Sequence, residues 1–397
     1  MDMELNRIRA FRLRAHHLDK RYPAACLTDA AGVCGLQNSP PGAWETAAFN
    51  RLEGCTLSLL QEALYEEKSL LQAWSFRGAP VVFPTRQSGV FLTALTARDG
   101  EQPWIYTAGI AAALEFLQLP FDWLLAQTQQ AAAALDHITV KSKEALDQTL
   151  ADLVEPKLPT EKQALWRAPS MYGSPDRQTV GGAVVSFLLR PCAFSSLVVF
   201  GKRQGVSPTF TSFRNWTGQA PEEWPDAERA LTRKFLHCYG PATAEFYMRW
   251  LGCSRKQARR LWEAAADEME PVRVKGKTRF ILSEDREAML HAEDCEDRMV
   301  LLGAHDPYLD VKDRDVLLEE PSLHQTVWKT VGNPGAVLRG GRIVGTWKAN
   351  VQREKLDVTI RPFRPLPASD RKRLEELAEE YAAFRQLGVK RCTVENE

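Results

Sequence analysis

The stretch LTRKFLHCYGPATAEFYMRWLGCSRKQARRLWEAAADE, residues 231–268, decides the fold. Leu231, Phe235 and Leu236 recur on one helical face, Asp226 stands at the N-cap position, and Gly240 closes the helix. Pro241 lies near the start of a second helix, ATAEFYMRWLG, which Gly252 ends, and Ser254 caps a third, RKQARRLWEAAADE. That pair is a helix-turn-helix. Just beyond, EPVRVKGKTRFILS alternates apolar and polar residues about Lys275-Gly276-Lys277, the pattern of a two-stranded hairpin. Three helices followed by a hairpin make a winged helix.

Working outward, the same order recurs upstream. Ser142 and Thr160 are helix-cap candidates, the latter with Gln163 as a T-x-x-Q capping box; VGGAVVSFLL and SSLVVFGKRQGVSPTFTSF read as apolar strands around a basic glycine turn. WETAAFNRLEG, TLSLLQEALYEEKSLLQAW and APVVFP allow a third copy at the N-terminus. Downstream, VLRGGRIVGTWKAN and KLDVTIRPFRP alternate as strands, followed by a charged helix from Ser369 to about Leu387. The expected class is α+β, with winged helices over 1–125, 126–222 and 223–290 and a β-domain plus helix over 291–397.

A chain of 397 residues, 44% apolar and 26% charged, is too long for one ordinary core and too apolar for disorder. Lys plus Arg and Asp plus Glu number 51 each, so any basic surface is local. The eight cysteines contain no C-x-x-C pair, and only His291 and Cys295 share a helix-turn spacing, so reduced thiols and no metal are expected. MDMELNRIRAFRLRAHH lacks the apolar core of a signal peptide. Arg190-Pro191 interrupts the most membrane-like run, Gly181 to Gly201, which therefore reads as two buried strands. A cytoplasmic, nucleoid-associated monomer with no membrane role is the expectation.

The second helix of a helix-turn-helix enters the major groove, and here it carries Arg255, Lys256, Arg259 and Arg260. Wing residues Lys275, Lys277 and Arg279, and Lys202-Arg203-Gln204 of the earlier hairpin, stand where wings touch phosphate. The competing reading of each is a solvated helix or hairpin face.

These blocks, with LLGAHDPYLDVKDR and NPGAVLRGGRIVGTWK, resemble the winged-helix DNA-binding proteins that include the AlkZ and YcaQ DNA glycosylases, from about Arg14 to Gly388. The resemblance implies three tandem winged helices forming a concave basic face, a C-terminal β-barrel-like domain, and double-stranded, damaged DNA as partner. It also implies excision of alkylated purines, in some members from interstrand crosslinks, without metal or cofactor. The family's catalytic motif follows a Gly-apolar pair: glutamine, an apolar residue, then glutamine or aspartate. In GLQNSPPGAWE, residues 35–45, the matching positions are Gln37, Asn38 and Ser39, and Arg77-Gly78-Ala79-Pro80-Val81 replaces the family's R-G-T-L-H. Asn38 and Arg77 thereby join the expected DNA contacts.

A neutral amide is no strong base, but Gln37 can accept from and donate to a water and hold it near the anomeric carbon. Ser39 keeps a hydroxyl yet is shorter than glutamine, so weaker or redirected activity is expected. Glu45, about one turn into the next helix, either turns its carboxylate toward that water or favours the helix's positive end and faces solvent. Ser39 or Asn38 as a helix cap, with Gln37 on a loop backbone, is the competing reading of the motif. His16-His17 and His305-Asp306-Pro307-Tyr308 read as packing and turn chemistry, and Trp44, Trp74 and Phe83 as core before base-stacking. A non-catalytic DNA-binding protein or transcription regulator is the alternative function.

Overall fold

The computed structural model describes residues 2–101, 107–173, 178–205 and 207–395, and overall it is 50% helical and 20% strand. Two compact units form: Met1–Ala63, Thr232–Trp250 and Trp262–Glu397 make the first, and Leu64–Leu231 and Leu251–Leu261 the second.

The deciding stretch folds as its caps direct. Helices Ala227–Tyr239, Ala244–Leu251 and Arg255–Glu263 follow one another, and strands Met269–Val274 and Lys277–Leu282 pair antiparallel. Ser254 Oγ accepts from Gln257 N at 3.2 Å, while Lys275 and Gly276 take the positive φ of a tight turn. In the first unit the hairpin is bonded to the turn after the first helix: Ala242 N donates to Phe280 O at 2.9 Å and Phe280 N to Ala242 O at 2.7 Å. Phe235, Tyr239, Tyr247 and Trp250 fill the space beneath.

The second unit corrects one strand assignment. VGGAVVSFLL is helical, as part of Val180–Phe194, with Thr179 Oγ1 accepting from Gly182 N. It is apolar all round because it is the central helix of that unit's core, and an apolar run alone does not distinguish such a helix from a buried strand. A Cβ on Gly181 would lie 2.3 Å from the Trp166 ring, so only glycine admits this approach. Helices Lys143–Val154 and Thr160–Arg167 precede it, and strands Val199–Gln204 and Ser207–Thr211 follow, with Val206 outside the described residues. Ser142 caps as expected. Thr160 does not, because Pro159 holds the N-cap position and Gln163 donates to Leu158 O. Leu70–Trp74 and Pro80–Pro84 form the N-terminal hairpin. No single helix among the described residues is long and apolar enough to cross a membrane; one bent pair, Ala108–Leu117 with Phe121–Asp136, passes by length and composition, and its Leu117, Leu124 and Leu135 belong to the core.

In the first unit the C-terminal strands order as Gly388–Val394, Lys355–Pro362, Arg342–Gln352, Gly335–Arg339 and Met299–Leu302, antiparallel except for the first pair. This sheet has two edges among the described residues, in place of the expected barrel-like closure. The reason is connectivity: helix Ala368–Phe384 crosses the sheet, burying Leu374 and Ala378 against Val358 and Ile360, and returns the chain as a parallel edge strand.

The charged N-terminal run is buried through its arginines. Arg12 Nη1 and Nη2 donate to Asp313 at 3.2 and 2.9 Å, and Arg279 Nη1 donates to the same carboxylate at 2.6 Å. Arg279 is therefore core rather than wing. Arg51, 1% exposed, grips Asp306 with two bonds of 2.7 and 2.8 Å and donates to the carbonyls of His16 and Ala47. Removing one partner of such a pair strands a buried charge, so Asp306→Ala is expected to lower stability by about 3–5 kcal/mol in denaturant unfolding. Glu66→Ala, which deletes only the exposed partner of Lys202, leaves the midpoint unchanged.

Candidate functional site

The chain enters the site after the short helix Leu27–Gly32, through the two-residue strand Leu36–Gln37. Gln37 is half-buried, and its Nε2 donates to Ser39 O over a long 3.5 Å. Asn38 is buried; its Oδ1 accepts from Gly42 N at 2.7 Å and closes the loop. Asn38 thus has an internal role in holding the loop backbone. Ser39 is partly exposed, and neither it nor Asn38 caps the following helix, Ala43–Arg51, whose N-cap is Gly42 at φ +92°.

Glu45, in that helix's first turn, receives Arg385 Nη1 at 2.7 Å. The pair is packed over Gly42, where a Cβ would meet Glu45 Oε2 at 3.4 Å and Arg385 Nη1 at 3.7 Å. Neither expected position of Glu45, beside a water or in solvent, includes this partner, which lies 340 residues along the chain. Pro40, Gly42 and Thr46 line one wall of a cavity of about 400 Å³, and Asn333, Lys348 and Arg385 line another. The Asn333 Oδ1 is buried with no partner among the described residues. Sequence reasoning missed Asn333, Lys348 and Arg385, because nothing local marks a residue that only tertiary packing brings to the loop. His305 to Tyr308 form turn structure as read, with Asp306 Oδ1 accepting from Tyr308 N. Trp44, Trp74 and Phe83 are core.

The basic candidates separate into tied and untied groups. In the helix Arg255–Glu263, residues four apart share a face. Arg260 pairs with Glu101 at 2.7 Å and also with Glu228, while Lys256 Nζ donates to Asp99 O at 3.0 Å. Arg260 is therefore a latch within the second unit. Arg255 and Arg259 are exposed and have no ion-pair partner among the described residues. In the first unit, Lys275 pairs with Asp315 at 3.2 Å, whereas Lys277 is exposed with no ion-pair partner among the described residues. In the second, Lys202 pairs with Glu66, Arg203 stands next to last in the strand Val199–Gln204, and Arg77, at φ +56°, lies over the Phe76 ring at 5.2 Å.

A model of the AlkZ-like DNA glycosylase family matches residues 30–384. The chain is 26% identical over 410 aligned residues to an interstrand DNA cross-link repair glycosylase from Streptomyces sahachiroi, covering 97% of each. Its fold is similar to that of the Streptomyces sahachiroi DNA glycosylase AlkZ, with a TM-score of 0.76, 21% identity and full coverage of both chains.

The latch has a pH signature. Hydrogen bonds from Arg260, partly opposed by burial, hold the Glu101 carboxyl below its ordinary range. A carboxyl lowered in the folded state stabilises fully above its unfolded value and loses that contribution as pH falls through the folded one. Arg260→Ala is expected to melt below the parent protein at neutral pH. The difference should shrink below pH ~4.3 and vanish once Glu101 is protonated in both, which thermal melts across pH 2–7 check.

Proposed function

Because the chain belongs to the AlkZ-like DNA glycosylase family, we propose that it is a monofunctional DNA N-glycosylase releasing N7- or N3-alkylated purines, bulky and crosslinked adducts included, with Gln37 orienting the attacking water. The fold-level part of this reading is three tandem winged helices presenting a basic face to duplex DNA. The observation that carries it is the matched family's glutamine standing half-buried on a braced loop.

Alkylation at N7 or N3 makes the purine cationic, so it leaves without being protonated by the enzyme. The C1′–N bond breaks with its electron pair passing to the base, water adds to C1′, and the surplus proton goes to solvent. What remains for the protein is orientation. Gln37 accepts from and donates to the water, and the Ser39 hydroxyl is the second, shorter partner in place of the family's glutamine or aspartate. Glu45 acts through Arg385 as an anchor for the loop, because its carboxylate is engaged by the guanidinium at 2.7 Å. Arg255, Arg259 and Lys277 supply phosphate contacts because they are exposed and unpaired.

Incubation with duplex carrying an N7-alkylguanine is expected to give free base and an abasic site. Gln37→Ala should slow single-turnover release by about 100-fold with DNA affinity within a few-fold; unchanged release removes Gln37 from the mechanism. The Ser39 substitution favours a second reading, a DNA-binding protein without hydrolysis, and absence of abasic product from methyl, bulky and crosslinked substrates alike selects it.

The cations have their own readout. Each of Arg255→Ala and Arg259→Ala should weaken binding across sequences and reduce the slope of log K against log salt by about one. Arg260→Ala should leave that slope unchanged at neutral pH.

A further inference from the structure

We propose that His16, Cys34 and Cys238 bind one thiolate-seeking d10 metal ion, zinc(II) or copper(I), in the interior of the first unit. The three residues come from far apart: the C-cap of the first helix, the turn after Leu27–Gly32, and the last turn of Ala227–Tyr239. All are buried, and their donor atoms lie within 4.8 Å of one another, with Cys34 Sγ 3.7 Å from His16 Nδ1. An ion at about 2.3 Å from sulfur and 2.0–2.1 Å from nitrogen spans donor separations of roughly 3.5–3.8 Å, so a small inward shift completes the site.

The surroundings suit a ligand set. His16 Nε2 lies 3.1 Å from Cys238 O, which favours the proton on Nε2 and leaves the Nδ1 lone pair toward Cys34. Edge-on contacts with Tyr239 and Tyr308 fix the ring plane. Each cysteine binds such an ion as its thiolate, so loading releases the thiol protons to solvent. Lys234 donates from Nζ to Gly32 O at 2.5 Å, two residues before Cys34. Three ligands satisfy copper(I), and zinc adds a fourth from solvent or a nearby carbonyl, such as Val33 O, 3.7 Å from Cys238 Sγ.

This site takes no step in base excision. Cys34 lies three residues before Gln37, so the ion clamps the approach to the loop and joins it to two helices. Positions 16, 34 and 238 have no metal-binding spacing, which is why the sequence pointed to no metal.

The test uses the reduced full-length protein, stripped with chelator, then given zinc sulfate in one arm and anaerobic copper(I) in another, each against a chromophoric competitor. One ion per chain by mass spectrometry after dialysis in either arm, a raised melting temperature, and loss of at least nine-tenths of the ion in Cys34→Ser and Cys238→Ser are expected. Cys192→Ser and Cys253→Ser, buried thiols elsewhere, should keep it. Cobalt(II) loading of the unmutated chain should give a thiolate-to-metal charge-transfer band, which needs no variant to fold. Less than a tenth of an ion per chain in both arms, no such band, or full ion content in a folded Cys34→Ser/Cys238→Ser protein overturns the proposal.

Discussion

The buried Arg51–Asp306 pair is the constraint on which the site depends. Arg51 ends the helix that the Gln37 loop starts, and Asp306 opens the turn after the strand Met299–Leu302, so two bonds of 2.7 and 2.8 Å fix that helix against the C-terminal part of its own unit. Desolvating two charges costs several kcal/mol before their attraction is counted. The cost is offset because the guanidinium also satisfies the His16 and Ala47 carbonyls and the carboxylate accepts the Tyr308 amide. Arg12 and Arg279 repeat the arrangement on Asp313. The first unit is thus held by charge pairs between residues more than 200 positions apart as well as by apolar packing.

Much of the architecture was legible because it is written locally. Ser254, Gly252 and Lys275-Gly276 act on their immediate neighbours through caps and turn geometry, so the helix-turn-helix and hairpin follow from reading them in order. Val180–Phe194 was not legible as a helix: a segment buried on every side loses the polar face that reveals its period. The open edge of the C-terminal sheet was equally hidden, because it depends on where Gly388–Val394 lands after a helix.

The candidate site divides along the same line. Gln37 and Ser39 are singled out by a motif of fixed spacing, and the structure places them on one short loop. The partners of Glu45, Arg260 and Arg279 are not, because an ion pair across 340, 159 or 34 residues leaves no mark in either local sequence. Basic residues on one helix look alike until tertiary structure assigns some to carboxylates and leaves Arg255 and Arg259 to solvent. For the same reason His16, Cys34 and Cys238 meet without any spacing that announces them.

Under the proposed function the chemistry asked of this arrangement is modest: a cationic purine already leaves readily, and a neutral amide on a braced loop only has to keep one water aligned. The most direct measurement is a crystal structure of the protein on duplex DNA carrying a cationic pyrrolidine in place of the target deoxyribose. The account predicts the Gln37 amide within about 3 Å of an ordered water poised over the atom that replaces C1′. A Gln37 side chain turned into the protein, with that water held by other groups or absent, would contradict it.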